Sequence, residues 1–476
     1  MSMTTERVAQ VMAKAKAAAG IFSQFDQEQT DRIVKAVYEA AFAARVTLAK
    51  QAQAETGIGI WEHKVIKNVL ASQFVYEDIR DLKTVGVISD DPRTGVTEIA
   101  QPVGPIFAII PTTNPTSTVI FKIMIALKAR NPIIISPHPR AAKSSIEAAK
   151  ICYLAACRAD APDDCVQWAP DWTRDEMSQL MSHPDLALVL ATGGGAMVKA
   201  AYSSGKPALG VGAGNVPAYI EKSADVVHAV TAIMASKTFD NGTVCASEQA
   251  IIVEKSNAAA ARRELEQQGA YFLPPADVAR VEAVALDPAT HVMHPAIVGK
   301  SAAFIAELAG ISVPDGTRLL VAPLHGVGRE HPLSAEVLAP VIAWYEVKDF
   351  AAAGSLCLEL NFFGGMGHTA SIHSNDRERI LAFATLMNAG RVVVNSPSSQ
   401  GAVGGICNFL PPSFTLGCGT GGNNITTDNI SARHLINIQR VARRRGNERL
   451  DRFDMNLLYD EKLDAPAIAR LYNKNY

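Results

Sequence analysis

The sequence contains 476 residues with a formal net charge of −2, and 48% of its residues are hydrophobic while 19% are charged. A chain of this length and composition is too long for one compact core and too apolar for a disordered protein, so we expect two or three packed domains. The near-zero charge gives no electrostatic basis for binding nucleic acid or an acidic membrane surface.

The cysteine pattern and the apolar runs indicate where such a protein would reside. Seven cysteines include no CxxC pair, which argues against a disulfide scaffold or a zinc ribbon, and we predict no bound metal. Glu6 and Lys14 interrupt any signal peptide, and the longest apolar run, 119–127, contains Lys122 and is too short to span a bilayer. We therefore expect a soluble, cytoplasmic protein that does not bind membranes.

The N-terminal region reads as helices followed by a hairpin. Apolar residues recur about every 3.6 positions between 8 and 15 and again between 33 and 42, which predicts helices over 4–80. The first of them could be a detachable targeting helix or the first packed helix of a domain. Turn residues such as Pro92 and Gly95 then separate two short β-prone stretches, which predicts a hairpin within 85–101.

Repeated strand–helix units follow the hairpin. A buried-type strand at 106–110 leads through a loop into a helix that begins at Pro115, and 133–135 is the next strand. Two further cycles end in the strand 186–190. This order predicts an open parallel sheet that binds its ligands at the carboxyl ends of the strands, where Asn114 and the run 136–140 lie.

Glycine-rich loops mark the later strand ends. Gly193, Gly194 and Gly195 follow the strand 186–190 and could admit a phosphate or a nicotinamide ring, although such turns are also common in purely structural loops. They do not form the GxGxxG sequence of ordinary Rossmann domains. After 222 a second α/β segment begins, with strands expected near 250–254, 319–321, 342–345 and 391–395 and a final strand over 430–440. Cys245 lies in a loop between a helix (225–236) and the first of these strands, a suitable position for a reactive thiol.

Eight motifs in order along the chain are similar to those of the aldehyde dehydrogenase superfamily, and more closely to its CoA-acylating branch, which includes the aldehyde dehydrogenase half of bifunctional alcohol/aldehyde dehydrogenases. They are IIPTTNPTS (109–117), SPHPRA (136–141), ATGG (191–194), GKPALGVGAGN (205–215), SKTFDNGTVCASEQ (236–249), GGMGHTA (364–370), NSPSSQG (395–401) and FTLGCGTGGN (414–423). The sequence ends at Tyr476, so the iron-dependent alcohol dehydrogenase half is expected to be absent.

The resemblance implies a fold of two open α/β, Rossmann-like domains plus a small β oligomerisation element. We expect a cofactor-binding domain (1–84 and 103–222), a catalytic domain (223–424), and an oligomerisation element (85–102 and 425–476) that supports a homodimer or a homotetramer.

The resemblance also implies covalent catalysis at Cys245. This thiol would attack an aldehyde, and the Asn114 amide with the Cys245 backbone N–H would stabilise the oxyanion. Hydride would pass to NAD or NADP and leave a thioester. Cys245 could instead be one more buried thiol, and Asn114 a loop cap. His368 could accept a thiol proton, or could be a core histidine bonded to backbone.

Eleven residues are implied to bind the nicotinamide cofactor. They are Thr112, Thr113, Ser136, His138, Pro139, Gly193, Gly194, Gly212, Ala213, Glu336 and Leu338. Glu336 would bind the nicotinamide ribose, but it could also be an ordinary surface glutamate. His138 would lie near the adenosine, or could simply cap its loop.

A missing carboxylate distinguishes the acylating branch. Hydrolytic members carry a glutamate that activates water, and the stretch 209–214 offers Gly210 where we expect that base. The acyl group would then pass to the thiol of CoA. The alternatives are a hydrolytic aldehyde dehydrogenase, a non-catalytic scaffold of the same fold, and a plain acyl-CoA transferase that needs no nicotinamide.

Small residues in two loops bear on the substrate. The stretches 405–407 and 420–422 carry small side chains where the ethanol-forming relatives are expected to carry bulkier ones. If these loops line the acyl pocket, the short-chain aldehyde could be larger or more polar than acetaldehyde, such as propionaldehyde, succinic semialdehyde or sulfoacetaldehyde.

Overall fold

The computed structural model describes residues 3–287, 292–444 and 446–474. Its strands form three separate sheets of three, five and seven strands within these ranges. The two larger sheets are parallel and carry helices on their faces, as the α/β prediction requires.

The N-terminal region is helical, as predicted. It contains α1 (Met3–Phe22), α2 (Gln27–Ala43), α3 (Arg45–Thr56), α4 (Trp61–Val69) and α5 (Val75–Ile79), with a π-helical turn at Leu70–Phe74. A capping box begins α2, because the side chain of Asp26 accepts from the Gln29 N–H while the Gln29 side chain accepts from the Asp26 N–H. Ile33, Val34 and Val37 of α2 are buried in the same core as the five-stranded sheet.

The predicted hairpin is present. It consists of two antiparallel strands, β1 (Gly86–Asp91) and β2 (Val96–Pro102), joined by a short turn. Its side chains alternate only weakly between buried and exposed, so most of the ribbon lies at the surface.

The five-stranded sheet follows the hairpin. Its elements are β3 (Ile106–Ile109), α6 (Pro115–Lys128), β4 (Ile133–Ser136), α7 (Ala142–Arg158), β5 (Val166–Trp168), α8 (Arg174–Ser182), β6 (Leu188–Thr192), α9 (Gly195–Tyr202) and β7 (Ala208–Val211). The strand order is β5-β4-β3-β6-β7. The order reverses at β3, which places the ends of β3 and β6 at the topological switch point where open sheets bind ligands.

The seven-stranded sheet forms the second half. Its elements are β8 (Val216–Ile220), α10 (Val226–Lys237), β9 (Glu248–Glu254), α11 (Lys255–Gln267), β10 (Ala270–Phe272), α12 (Pro275–Ala285), α13 (Ala302–Leu308), β11 (Leu319–Pro323), β12 (Val341–Val347), α14 (Phe350–Gly364), β13 (Gly367–His373), α15 (Arg377–Leu386), β14 (Ala389–Val394) and α16 (Ser398–Val403). The strand order is β10-β11-β12-β9-β8-β13-β14.

Strand pairing corrects one expected boundary. The range 103–222 was assigned to the cofactor-binding half, but β8 pairs with β9 and β13 of the seven-stranded sheet. The chain therefore passes from one sheet to the other between Val211 and Val216. The glycine-rich segment between these residues is the crossing point.

The C-terminal region returns to the hairpin. The strand β15 (Ile436–Ala442) pairs antiparallel with β2 and completes the three-stranded sheet. It begins later than the predicted start near 430, because Ala432–Leu435 forms a 3₁₀ turn. Two helices follow, α17 (Glu448–Asp451) and α18 (Ala465–Lys474). Among the described helices, none combines the length and the apolar character that a membrane span requires.

Candidate active site

Cys245 lies at the amino end of β9, in a loop that begins with a 3₁₀ turn at Phe239–Gly242. Asp240 and Asn241 in this turn have left-handed backbone conformations, with φ of 50° and 53°. Aspartate and asparagine tolerate this conformation better than other residues with a side chain, and the contacts of Asp240 hold the loop in place.

Asp240 is the anchor of this loop. Its buried carboxylate accepts from Lys64 Nζ at 3.0 Å and from Lys67 Nζ at 2.5 Å, and also from the backbone N–H of Ile60 at 2.7 Å. Burial alone would raise the pKa of Asp240, but Lys67 and Lys64 bring it below its usual value. The two lysines on α4 therefore fix the loop that presents Cys245.

The predicted nucleophile and oxyanion donor line one cavity. Cys245 and Asn114 share it with Thr192, Lys67 and a mostly apolar wall. That wall includes Ile66, Leu70, Val211, Phe239, Val244, Val403, Ile406, Phe414 and Leu416. The cavity has a volume of about 60 Å³, and no aspartate or glutamate of the described ranges lines it.

Asn114 precedes α6 but does not cap it, since its side chain accepts no hydrogen bond from that helix. The amide oxygen instead accepts from Lys67 Nζ at 2.6 Å, and Nδ2 donates to Thr113 Oγ1 at 3.1 Å. The Asn114 side chain therefore does not cap α6, and its one bond within the loop is the one to Thr113. One N–H of its amide has no partner among the residues that the structure describes, so it is free to bind a ligand in the cavity.

The environment of Cys245 disfavours its thiolate. Burial raises the pKa of its thiol to about 12, the charges of Glu336 and Cys418 act in the same direction, and Arg391 opposes them. The thiol is therefore protonated at neutral pH before a substrate or cofactor binds.

The residue that faces the cavity on β7 is Val211 rather than Gly210. A Cβ on Gly210 would lie 2.8 Å from Tyr202 Oη and 2.9 Å from Val198 Cγ1, both on α9, whereas Val211 lines the cavity. Successive residues of a strand point to opposite faces, so Gly210 cannot be the position of a base beside Cys245. The stretch 209–214 carries no carboxylate, as the sequence shows, but the position at which a base would face Cys245 is that of Val211 and not that of Gly210.

Most of the predicted cofactor residues lie at the carboxyl ends of four neighbouring strands. Thr112 and Thr113 follow β3, Ser136 ends β4, Gly193 and Gly194 follow β6, and Gly212 and Ala213 follow β7. The topology thus brings these seven residues to one edge of the sheet.

This edge fits a nicotinamide dinucleotide. A Cβ on Gly194 or Gly212 would meet no other atom within 4 Å, so the backbone is open to a ligand. Gly194 also precedes the N-terminus of α9, which suits a phosphate. Thr192 Oγ1 is buried in this region without a hydrogen-bond partner among the described residues.

His138 and Pro139 lie one turn beyond β4. The exposed His138 accepts a hydrogen bond at Nδ1 from the Arg140 N–H at 3.2 Å, and Pro139 begins the 3₁₀ turn Pro139–Ala141. His138 therefore caps this loop, and its Nε2 remains available to a ligand at the same sheet edge.

Glu336 approaches from the other half of the chain. Its Oε1 accepts from the Gly214 N–H at 2.9 Å, next to Gly212 and Ala213. Burial raises the pKa of Glu336 to about 7, although the Gly214 N–H and Lys237 lower it in part. Leu338 lies two residues further on, and its N–H contacts Met293 Sδ at 3.1 Å.

His368 does not line the cavity. Its ring is fully buried, Nδ1 lies 2.9 Å from Thr369 Oγ1, and burial with the nearby Arg391 lowers its pKa to about 3. A Cβ on Gly214 would touch both the His368 ring and the backbone oxygen of Cys245, so one glycine separates the two. Nε2 of His368 has no partner among the described residues.

Sequence reasoning missed Lys64, Lys67 and Asp240. The available signal was the spacing of the two lysines. They lie three positions apart, so they share one face of α4, and the buried Leu70 and Ala71 follow directly after that helix. The condition set for the small-residue loops, that they line the acyl pocket, can be compared with the cavity beside Cys245. Only Ile406 of 405–407 lines the cavity, whereas Gly405 and Cys407 line a neighbouring one, and 420–422 lines neither.

Residues 1–406 match the aldehyde dehydrogenase family. The chain belongs to this family. Within the family it is similar to an acetylating aldehyde dehydrogenase from Geobacillus thermoglucosidasius, at 47% identity and a TM-score of 0.91 over 93% of this chain and 98% of the other.

Two further relatives describe the branch of the family. The bifunctional aldehyde-alcohol dehydrogenase of Escherichia coli K12 is 45% identical over 452 residues, which are 94% of this chain and 50% of that protein. This chain therefore spans about half the length of that relative. A propionaldehyde dehydrogenase of Rhodopseudomonas palustris, solved with bound CoA and an acylated cysteine, is 29% identical with a TM-score of 0.82, over 92% of this chain and 97% of that one.

Proposed function

We propose that this chain is a CoA-acylating aldehyde dehydrogenase, which converts an aldehyde, CoA and NAD(P)⁺ reversibly into an acyl-CoA and NAD(P)H. The observation that carries the proposal is the cavity that joins Cys245 to Asn114 while Val211 occupies the strand position facing it. The relative with bound CoA and an acylated cysteine supports a thiol as the acyl acceptor.

The side chains suggest a division of tasks. The Cys245 sulfur attacks the aldehyde carbon, and the Asn114 amide with the Cys245 N–H stabilises the oxyanion of the thiohemiacetal. The nicotinamide cofactor, when bound at the strand ends, supplies the hydride acceptor. The CoA sulfur then forms a bond to the acyl carbon, the bond between that carbon and the Cys245 sulfur breaks, and Cys245 leaves as the thiolate. We propose that His368 accepts a thiol proton only after ligand binding has changed its surroundings, because here it is buried outside the cavity and its pKa is lowered to about 3.

The cavity lining favours a short, uncharged aldehyde. Its wall is mostly apolar, and Lys67, the single charged side chain among its described lining residues, already binds Asp240. An anionic substrate would therefore be desolvated without a free cation to pair with it. We propose acetaldehyde or propionaldehyde as substrates in preference to succinic semialdehyde or sulfoacetaldehyde.

A CoA-dependence assay tests the proposal. Each aldehyde is incubated with NAD⁺ or NADP⁺, with and without CoA, and the nicotinamide absorbance and the acyl products are measured. We expect reduction that requires CoA and is lost in Cys245→Ala. Full turnover without CoA, with the free acid as product, would identify a hydrolytic enzyme instead. No turnover with any aldehyde, together with unreactive Cys245, would favour a scaffold.

We further propose a cytoplasmic homodimer or homotetramer assembled through the three-stranded sheet, with the five-stranded sheet as the cofactor-binding domain and the seven-stranded sheet as the catalytic domain. The strand β15 lies at the edge of the three-stranded sheet and exposes Ile438 and Val441. A strand that pairs on one side only and exposes apolar side chains is suited to pairing with a second copy.

A further inference from the structure

Lys67 occupies a position that its neighbour Lys64 does not share. Both lysines are buried on α4 and both donate to Asp240 Oδ2. Lys64 also donates to the backbone oxygen of Thr113, at 3.1 Å. Lys67 instead donates to the side chain of Asn114 and lines the cavity.

The hydrogen bonds of Lys67 are complete. Its three N–H groups reach Asn114 Oδ1 at 2.6 Å, Asp240 Oδ2 at 2.5 Å and Thr243 Oγ1 at 3.0 Å. Burial lowers the pKa of Lys67 to about 8, partly offset by Asp240, so its ammonium is charged at neutral pH. A charged ammonium with three acceptors is held in one place and one orientation.

The contact with Lys67 settles which way the Asn114 amide points. An ammonium can only donate, so the atom facing it must be the amide oxygen, and Nδ2 must lie on the other side. With one N–H on Thr113 Oγ1, the second is left for the cavity that contains Cys245. The nearby positive charge also polarises the amide and strengthens that N–H as a donor.

We propose that Lys67 is the positioning residue of the oxyanion site, which acts through the Asn114 amide by fixing its orientation and polarising its N–H group. The inference rests on the proposed function only in that Cys245 becomes acylated. Lys64 performs the shared structural task of neutralising Asp240, and Lys67 adds the catalytic orientation.

Acylation by p-nitrophenyl acetate isolates this step because it needs neither CoA nor a nicotinamide. The Cys245 sulfur forms a bond to the ester carbon, the bond to p-nitrophenolate breaks, and the thiol proton passes to solvent. The rate constant of the p-nitrophenolate burst is measured for the wild type, Lys67→Met, Lys64→Met, Asn114→Ala and the double variant Lys67→Met/Asn114→Ala. Both Met variants remove one of the two lysines from Asp240, so Lys64→Met measures how much of a loss comes from weakening that anchor.

We expect Asn114→Ala and Lys67→Met each to lower the burst rate constant by about 100-fold, the effect of losing an oxyanion donor. Lys64→Met should slow it by no more than about threefold. In the Asn114→Ala background, Lys67→Met should add less than about threefold, because the group through which it acts is gone. Asn114→Asp, which keeps a partner for Lys67 but lacks the N–H donor, should be as slow as Asn114→Ala.

Independent, multiplicative losses in the double variant would overturn the inference, and so would equal losses in Lys64→Met and Lys67→Met. The proposed function is tested separately. If the protein turns over with CoA but the losses in burst rate multiply in the double variant, the role of Lys67 is refuted and the proposed function is not. If the losses in burst rate do not multiply in the double variant but no turnover depends on CoA, the proposed function is refuted and the role of Lys67 is not.

Discussion

At the scale of single residues, Val211 is the side chain expected to decide which nucleophile reaches an acyl group on Cys245. It lines the cavity from β7, where a carboxylate would stand beside the thioester and could activate water. Its apolar side chain instead contributes to a dry wall. This is the residue-level reason to expect transfer to a thiol.

We expect Val211→Glu to form free acid without CoA, at a rate at least about 10-fold above the wild type, because a carboxylate buried in an apolar cavity has a raised pKa and acts as a base near neutral pH. Product analysis by NMR without CoA measures this rate. Val211→Gln is the matched control without a base, and an equal gain in that variant would contradict the prediction. Gly210→Glu should give no acid, since its side chain would collide with Tyr202 and Val198.

The carboxylate of Glu336 should control the reactivity of the Cys245 thiol. Glu336 raises the pKa of this thiol only when it is ionised, which occurs above its own pKa of about 7. Glu336→Gln should therefore lower the thiol pKa and speed alkylation by iodoacetamide above pH 7, by about three- to tenfold. Near pH 6 the two proteins should react at the same rate.

The control for this measurement is Glu248→Gln. Glu248 is also buried with a pKa raised to about 7, but it binds the Ser398 N–H and is not among the groups that shift Cys245. A similar acceleration in that variant, or one that does not depend on pH, would show that loosened packing rather than charge is responsible.

At the scale of elements, close backbone contacts join β13 to the loop after α16. Gly367 begins β13 with φ of 81°, and a Cβ there would overlap the backbone oxygen of Cys418. The glycine-rich stretches 364–367 and 417–422 meet at this contact. Only glycine satisfies both the left-handed conformation and the lack of space.

Gly367→Ala should lower the free energy of unfolding by about 3 kcal/mol or more, as backbone strain and overpacking add. Gly310→Ala provides the comparison, because Gly310 also has a positive φ of 67° but no atom near a new Cβ. That variant should lose only about 1 kcal/mol. Urea denaturation followed by circular dichroism measures the free energy of unfolding of both variants. Equal losses would mean that the overlap of the new Cβ with the Cys418 oxygen does not destabilise the protein.

The same scale shows what the sequence can predict. The parallel strands followed from short buried runs such as 106–110, whose pattern is local. Cys245 and Asn114 followed from motifs. Whether Gly210 or Val211 faces Cys245 depends on the register of β7, because a shift of one residue turns every side chain of a strand to the opposite face. The start of β15 was missed because the apolar residues of 430–435 suit a strand but form turns. The Asp240 anchor joins residues 173 and 176 positions apart, which no local pattern reveals.

At the scale of the whole molecule, the three-stranded sheet has an edge strand that lies at the surface. Its outer strand β15 exposes Ile438 and Val441. A second copy could cover this edge by adding strands to it. The hairpin and the C-terminal strand would then act as one assembly element.

The double substitution Ile438→Asp and Val441→Asp should shift the protein to a smaller species, because like charges at a strand edge oppose pairing with another copy. Size-exclusion chromatography with light scattering gives the mass. Leu154→Asp is the control, since Leu154 is also an exposed apolar residue but lies on α7. An unchanged mass in the double variant would place the assembly surface elsewhere.

The bond between α4 and Asp240 has a consequence for how the enzyme is made. Residues emerge from the ribosome in order, so Lys64 and Lys67 are synthesised long before the loop that they hold. The nucleophile cannot be set in place until both halves exist and have docked. A chain divided between β7 and β8 would yield two fragments, one with Lys64, Lys67 and β2 and the other with Asp240 and β15, and neither would contain a complete thiol site. Activity would return only on mixing them, which makes catalysis itself a reporter of docking.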